Sequence, residues 1–282
     1  MFPEQLHYSI AAPVNRFVDW LVLHYGDALR QLSDTLLQAV LALENLLRLL
    51  PWWLLLILVG GLAWHATRNA WRTLLLVGLL LLIGVVGLWD KMLQTCALVL
   101  VATSLSILIG VPIGVLLARS PLARRLLLPL LDAMQTLPSF VYLIPVLMLF
   151  GLGKVPAIFA TLIYALPPLI RLTDLGLRQV EPAVLEAAAC LGANRWQRLR
   201  HVQLPLAMAT IMTGLNQTVM MALSMVVVAS MIGARGLGED VLIGIQTLNV
   251  GLGVEAGLAI VVLAVVIDRI TQAYGLPRES PR

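Results

Sequence analysis

The sequence predicts an all-α protein: a bundle of transmembrane helices with an amphipathic helical segment at its N-terminus. Hydrophobic residues make up 60% of the 282 residues and charged residues only 12%, and the mean hydropathy of +0.93 is far above that of a soluble domain. After Pro51, long apolar runs alternate with short polar breaks. A bilayer is the solvent that suits such a chain, and backbone groups inside a bilayer are satisfied within helices.

Residues 1–50 are amphipathic rather than uniformly apolar. Hydrophobic side chains recur at helical spacing from Val14 to Leu50, with polar and charged residues between them. We expect either one helix or two helices that lie on the membrane or against the bundle; in the second case the break falls near Gly26 or near Ser33. Because charges interrupt the first apolar stretch, no cleavable signal peptide is expected.

The remainder of the chain is predicted to cross the membrane repeatedly. Each apolar run is close to the ~20 residues that a helix needs to span the bilayer. Prolines interrupt the fourth and fifth runs, which indicates helices that are broken next to protein or water rather than lipid. About seven spans are predicted, near residues 50–66, 73–89, 93–118, 136–151, 155–170, 209–233 and 250–268.

The positions of the basic residues predict the orientation of these spans. Arginines and histidines are concentrated in every second break, as expected for loops on the cytoplasmic side. An odd number of spans then puts the N-terminus outside and the C-terminus in the cytoplasm. The net charge of +4 is therefore a topology signal, and no nucleic-acid partner is expected. Cys96 and Cys190 would lie on opposite sides of the membrane, so they are not expected to pair.

One basic break, residues 180–205, carries several helix-start and helix-stop signals. Pro182 predicts the first turn of a helix that Gly192 ends at the C′ position. Asn194 begins a capping-box pattern for a second short helix, which Pro205 is predicted to stop. From the residues alone, this segment is either an ordinary cytoplasmic loop with two surface helices or a surface for a partner.

This segment resembles the EAA loop of ABC importer permeases. The family's pattern is Glu-Ala-Ala, three residues, glycine, nine residues, isoleucine, one residue, leucine and proline, and the one departure here is a valine in place of the isoleucine. In that family the loop forms a coupling helix that docks on the ATPase subunit. The resemblance carries this role to Glu186, Ala187, Ala188, Gly192, Val202, Leu204 and Pro205.

The resemblance extends over about two-thirds of the chain. The stretches "QTLPSFVYLIPVLMLFGLGKVPAIFATLIYALPPLIRLTDLGLRQV" and "QLPLAMATIMTGLNQTVMMALSMVVVASMIGARGLGEDVL" are similar to the permease subunit of glycine betaine, proline and choline importers. This implies a type I ABC importer permease fold and ATP-driven import of glycine betaine, choline or a related quaternary ammonium solute by alternating access. The implied partners are two ABC ATPase subunits, an extracytoplasmic substrate-binding protein and a second copy of the chain, all meeting in membrane lipid.

The chain is expected to be a transport subunit of a bacterial inner membrane and not an enzyme. It contains no GxxxxGK[ST] sequence, and it contains no HExxH, CxxC or GxSxG motif. ATP and magnesium would be used by the partner ATPase, so neither a cofactor nor a metal is expected on this chain. The predicted divisions are an amphipathic segment at 1–50, two spans at 51–90, a permease core at 91–274 and a cytoplasmic tail at 275–282.

Candidate residues for the solute path are aromatic or polar side chains inside the predicted spans. Aromatic faces bind quaternary ammonium groups, although aromatic residues in spans are more often anchors or packing residues. Polar residues there line a path or hydrogen-bond between helices, and an acid within a span is a functional candidate. The candidates are Phe140, Tyr142, Tyr164, Asn216, Gln217, Ser224 and Glu255.

Other functions remain open from the sequence. An ABC permease for another small solute, such as an amino acid, would carry the same kind of loop. An ion-coupled secondary transporter could use Glu255 and Asp268 as coupling acids and would need no ATPase, but the sequence shows no evident inverted repeat of the kind typical of that class. A structural subunit without a path of its own is a third possibility.

Overall fold

The computed structural model describes residues 11–275, and within that range the chain forms only helices and the turns that join them. The all-α fold class is thereby confirmed. The predicted tail at 275–282 lies outside the described residues except for Gly275. The helices are α1 Ala11–Leu49, α2 Trp52–Thr67, α3 Ala70–Val85, α4 Trp89–Arg119, α5 Pro121–Thr136, α6 Leu143–Phe150, α7 Lys154–Arg178, α8 Pro182–Cys190, α9 Arg195–Arg198, α10 Leu204–Ser230, α11 Leu237–Gln246 and α12 Val250–Gly275.

Four helices in the described range are long and apolar enough to cross a membrane. They are α4, α7, α12 and the continuous helix Arg195–Ser230, which contains α9 and α10. The number is up to six if each of two bent pairs counts as one span, namely α1 with α2, bent by 102°, and α5 with the helical segment Ser139–Phe150, bent by 110°. Helix α3 is apolar but only 16 residues long. Six of the seven predicted spans each fall on one apolar helix, whereas the fourth, 136–151, covers the 3-10 turn Ser139–Tyr142 and the short helix α6. The predicted count of seven is not confirmed.

Helix α1 is a single helix of 39 residues, so the structure agrees with the one-helix alternative and has no break near Gly26 or Ser33. One glycine inside a helix costs about 1 kcal/mol, whereas starting a second helix requires a new and unfavourable nucleus. The C-terminal half of α1 packs against α4, α6 and α7, with Val40 fully buried. The prediction that this segment lies against its own bundle is confirmed for that half.

Helices α5 and α11 lie where the sequence predicts polar breaks. Ser120 is the N-cap of α5, and its side chain accepts the backbone N–H of Ala123 in the first turn. Its charged residues pair with α7: Arg124 donates to Asp174 at 3.0 Å, and Asp132 accepts from Arg171. These ion pairs therefore connect α5 to α7.

Helices α4, α7 and α10 pack closely at the centre of the bundle. A Cβ on Gly114 of α4 would lie only 2.5 Å from the Cβ of Thr173 on α7, and a Cβ on Gly214 of α10 would lie 2.9 Å from that of Leu172. Helix α7 is the most buried of the four long helices. Pro167 lies inside α7 without ending it, because neighbouring protein surrounds the backbone groups that the proline leaves unpaired.

Polar segments that the alternation of basic breaks assigns to the same side of the membrane contact each other at the same end of the bundle. At one end Arg119 donates to the carbonyl of Arg195 at 3.2 Å. At the other end Lys91, in the first turn of α4, pairs with Asp240 of α11. There, too, Lys154 at the start of α7 pairs with Glu44 of α1. Which end faces the cytoplasm stays a prediction.

Candidate coupling loop and solute path

Helix α8 begins and ends where the sequence predicts. Pro182 occupies its first turn, where a missing N–H removes no helical hydrogen bond. Gly192 follows the helix with a φ of 83°, in the left-handed region. The N–H of Gly192 donates to the carbonyl of Ala189 at 2.9 Å, and that of Ala193 donates to Ala188 at 3.0 Å. These two bonds form a Schellman motif, which satisfies the last carbonyls of the helix.

The second helix of the segment begins with the predicted capping box. The side-chain oxygen of Asn194 accepts the backbone N–H of Trp196 at 3.0 Å and that of Gln197 at 2.8 Å. The side-chain oxygen of Gln197 accepts the N–H of Asn194 at 2.9 Å. Both residues hold the first turn of α9 in a fixed direction relative to α8.

The predicted stop at Pro205 is wrong. Helix α9 continues through a π turn at Leu199–Gln203 into α10, and Pro205 lies in the first turn of α10. A proline disturbs a helix because it lacks an N–H and because its ring presses on the carbonyl four residues before it. In the π turn the hydrogen bonds span five residues, so Leu204 N–H donates to Leu199 and the carbonyl ladder is already shifted before the proline. The loop therefore runs without interruption into a long helix of the bundle.

The residues that match the EAA pattern leave one surface largely uncovered. None of the nine residues of α8 is buried by the described part of the chain. The apolar side chains of Leu191 and Trp196 beside the pattern are 89% and 63% exposed. Glu186, Ala187, Gly192 and Pro205 are exposed, and Ala188, Val202 and Leu204 are partly buried.

Trp196 is a residue of this surface that the pattern does not identify. Its sequence signal is a large aromatic side chain in the first turn of a capped helix, surrounded by arginines. Behind α8, Arg119, Arg195 and Arg198 line a cavity of about 320 Å³ together with Leu185 and Gln203. The segment thus combines exposed apolar side chains with an arginine-rich hollow.

The three aromatic path candidates have different surroundings. Phe140, in the 3-10 turn Ser139–Tyr142 that packs against α7 and α10, is 56% exposed. Tyr142 is buried, and its hydroxyl donates to the carbonyl of Met134 at the end of α5. Tyr164 is partly buried against an apolar cluster of the bundle. Of these three aromatic side chains, that of Phe140 is the most exposed.

The polar candidates on α10 divide into bonded and exposed residues. Asn216 joins α10 to α12, since it donates to Asp268 at 2.6 Å and accepts from the hydroxyl of Thr271 at 2.8 Å. Gln217 and Ser224 are exposed, and their spacing of seven residues puts them on one face of the helix. Sequence alone does not distinguish Asn216 from Gln217. In the structure Asn216 faces α12, whereas Gln217 is exposed.

Glu255 is not brought together with the other candidates. It is exposed near the start of α12, and its carboxylate forms no hydrogen bond or ion pair with any of residues 11–275. Helix α12 packs mainly against α11, α10, α2 and α3, whereas the turn Ser139–Tyr142 that carries Phe140 packs against α6, α7 and α10. Asp268 lies 13 residues further along α12, about 20 Å away at 1.5 Å per residue.

The sequence of the chain is similar to those of known transport proteins. Residues 110–275 match the family described as the binding-protein-dependent transport system inner membrane component. The chain is 44% identical over 271 residues to the glycine betaine transport system permease protein OpuAB of Bacillus subtilis, covering 96% of each chain. It is 47% identical to the glycine betaine/proline betaine transport system permease protein ProW of Escherichia coli, covering 99% of this chain and 81% of that protein.

A solved structure supports the same fold. A chain of the MetNI methionine ABC transporter, in an inward-facing conformation, matches with a TM-score of 0.55 and 22% sequence identity. The match covers 64% of this chain and 89% of that chain. At this identity the likeness shows the fold alone.

Proposed function

The chain belongs to the family of binding-protein-dependent transport system inner membrane components, and we propose that it is the permease subunit of an ATP-driven importer for glycine betaine or a related quaternary ammonium solute. The observation that carries the proposal is the identity of 44% to 47%, over 96% to 99% of this chain, with two permeases whose names state glycine betaine transport. Choline is a further candidate through the resemblance described above.

The proposed coupling surface is the exposed side of α8 and α9. Leu191 and Trp196 provide apolar area for a groove on a partner, and large exposed apolar side chains of this kind mark interaction sites. Arg119, Arg195 and Arg198 around the adjacent cavity favour an acidic group on that partner. The partner is an ABC ATPase, which would bind ATP and magnesium.

The proposed solute path runs along the exposed polar face of α10. Thr213, Gln217 and Ser224 lie on this face, and such side chains gain little from contact with lipid. A second copy of the chain, placed against this face, would enclose the path between two such helices. Phe140, on the neighbouring turn, offers an aromatic face to a quaternary ammonium group. A substrate-binding protein would deliver the solute at the opposite end from α8.

In the proposed mechanism the α8–α9 segments of the two copies transmit movement of the ATPases to the solute path. ATP draws the two ATPases together, the α8–α9 segments move with them, and the path opens to the outer side to receive solute. Release of the hydrolysis products returns the path to its inward-open form. The continuous helix Arg195–Ser230 connects the loop directly to the residues of the proposed path.

The decisive test is uptake of labelled glycine betaine and choline by cells with and without this chain. We expect chain-dependent uptake that stops when ATP is depleted and continues when an uncoupler removes the proton gradient but spares ATP. Uptake that follows the proton gradient would contradict the proposal and favour the secondary transporter, although the separation of Glu255 and Asp268 gives that class no support. Exchange of the binding protein, with this chain kept, would separate a betaine importer from one for amino acids.

The coupling surface is tested separately by copurification of the ATPase. Leu191→Ser and Trp196→Ser should reduce the ATPase recovered with the chain. Leu122→Ser is the matched control, because Leu122 is 68% exposed on α5, outside the loop. Equal recovery with all three variants would show that α8 and α9 do not form the docking surface.

A further inference from the structure

A cavity of about 630 Å³ lies between the α2–α3 hairpin and α12. It is at the end of the bundle where the basic breaks are found, and it is separate from both α8 and the exposed face of α10. Its rim is formed by the last turn of α2, the first turn of α3 and the last turns of α12. The polar part of the rim consists of Thr67, Arg72, Arg269 and Gln272.

The positive charge of this cavity is poorly neutralised. Arg72 forms no ion pair with any of residues 11–275, and the nearest carboxylate to Arg269 is that of Asp268, at the long distance of 4.0 Å. That carboxylate already accepts hydrogen bonds from Asn216 and Gln272. None of the described residues that line the cavity is acidic. The two guanidinium groups therefore favour an anion in this space.

The part of the cavity further from the arginines is apolar. Leu75, Leu76 and Val265 line it about one helical turn from Arg72 and Arg269; Leu76 is buried, whereas Leu75 and Val265 are exposed. Trp71, on the rim, is 73% exposed, and exposed tryptophan at the end of a membrane helix is typical of the headgroup level. A soluble anion would use the arginines alone, whereas a molecule with a charged head and an apolar tail would use both parts.

We propose that this cavity is a binding site for an anionic phospholipid such as phosphatidylglycerol. The phosphate accepts hydrogen bonds from Arg72 and Arg269, since a planar guanidinium suits two phosphate oxygens at once. The acyl chains lie along Leu75 and Val265. Basic pockets between transmembrane helices on the cytoplasmic side are a recurrent location for such headgroups. The lipid would hold the α2–α3 hairpin to α12, adding to the hydrogen bond between His65 and Tyr274 at 3.0 Å.

The test is a binding measurement on the purified full chain in a neutral detergent. Short-chain phosphatidylglycerol and phosphatidylcholine of equal chain length are titrated and followed by native mass spectrometry. We expect a clear preference for phosphatidylglycerol, with affinity about fivefold lower in Arg72→Gln or Arg269→Gln and about 25-fold lower in the double variant, if each arginine near the surface contributes independently. Arg125→Gln is the control, because Arg125 is exposed on α5 and forms no ion pair within residues 11–275. It should bind as the unsubstituted chain does.

Three results would overturn the proposal. Equal binding of the two lipids would remove the need for an anionic head, and unchanged binding in the double variant would remove the arginines from the site. Binding of inorganic phosphate alone, as tight as that of phosphatidylglycerol, would assign the site to a soluble anion. If the double variant melts early without any lipid, the single variants and the lipid preference of the unsubstituted chain decide the question.

Discussion

Gly192→Ala is the substitution that isolates the geometry of the proposed coupling loop. Gly192 is exposed, and a Cβ at this position would meet no atom within 4 Å among the described residues. Steric overlap with neighbours therefore contributes nothing to the effect. The φ of 83° is the sole cost, because a residue with a Cβ is disfavoured in the left-handed region.

The expected cost is about 1–2 kcal/mol for alanine. If the backbone relaxes instead, the Schellman bonds from Gly192 to Ala189 and from Ala193 to Ala188 are lost, and α9 no longer leaves α8 at its present angle. Since about 1.4 kcal/mol is a tenfold change in an equilibrium, the population of the native loop conformation should fall several-fold or more. Asparagine tolerates the left-handed region and should cost less, whereas valine should cost more.

The assay is ATP-driven uptake in membrane vesicles at equal abundance of the chain. Coupled uptake should decrease in the order glycine, asparagine, alanine, valine at position 192, while insertion into the membrane is unchanged. Gly61→Ala is the control, since Gly61 lies within α2 and an added Cβ there also meets no atom of the described chain within 4 Å. Normal uptake by Gly192→Ala would refute the reasoning, and so would uptake by the asparagine variant as low as that by the valine variant.

Three further substitutions test the packing of the bundle. Lys154→Met leaves the 3% exposed Glu44 with Arg48 as its remaining ion-pair partner among the described residues, so the free energy of unfolding should fall by roughly 2 kcal/mol; an unchanged melting temperature would contradict this. Gly114→Ala puts a Cβ 2.5 Å from Thr173 and should cost about 1–3 kcal/mol, whereas Gly78→Ala, in open space, should be neutral; equal folded yields would be inconsistent with the close packing. Asn216→Ala removes one hydrogen-bond donor to the carboxylate of Asp268. It should lower the free energy of unfolding by about 1–2 kcal/mol without changing the KM for solute; a changed KM at full stability would place Asn216 in the path.

The helices of the loop are predictable residue by residue because their signals are local. Pro182 at a helix start, Gly192 at a helix end and Asn194 at a cap each act through backbone groups within a few residues. The same signals work at the protein–water boundary whatever the rest of the fold does. The apolar runs likewise predict the long helices, since a bilayer imposes their length.

The ion pairs are not predictable from the sequence because they join distant parts of the chain. Glu44 and Lys154 are 110 residues apart, and Lys91 and Asp240 are 149 residues apart. In the sequence these charges serve equally well as topology signals, and only the packing of α1 and α11 decides which of them meet. The surroundings of the path candidates are unpredictable for the same reason, since the hydrophobic pattern of α10 does not show which of its polar residues contact another helix.

The effect of Pro205 on the helix depends on the hydrogen bonds of the residues that precede it. A stop at this residue would separate the loop from the bundle, and movement of α8 could then be absorbed in a hinge. The π turn at Leu199–Gln203 instead shifts the hydrogen-bond ladder before the proline, so one helix runs from Arg195 to Ser230. The exposed Trp196 and the exposed polar face around Gln217 lie on this same element. Because a continuous helix transmits a displacement of its end along its length, Pro205 lies within the element that connects the proposed coupling surface to the proposed path, and it does not separate them.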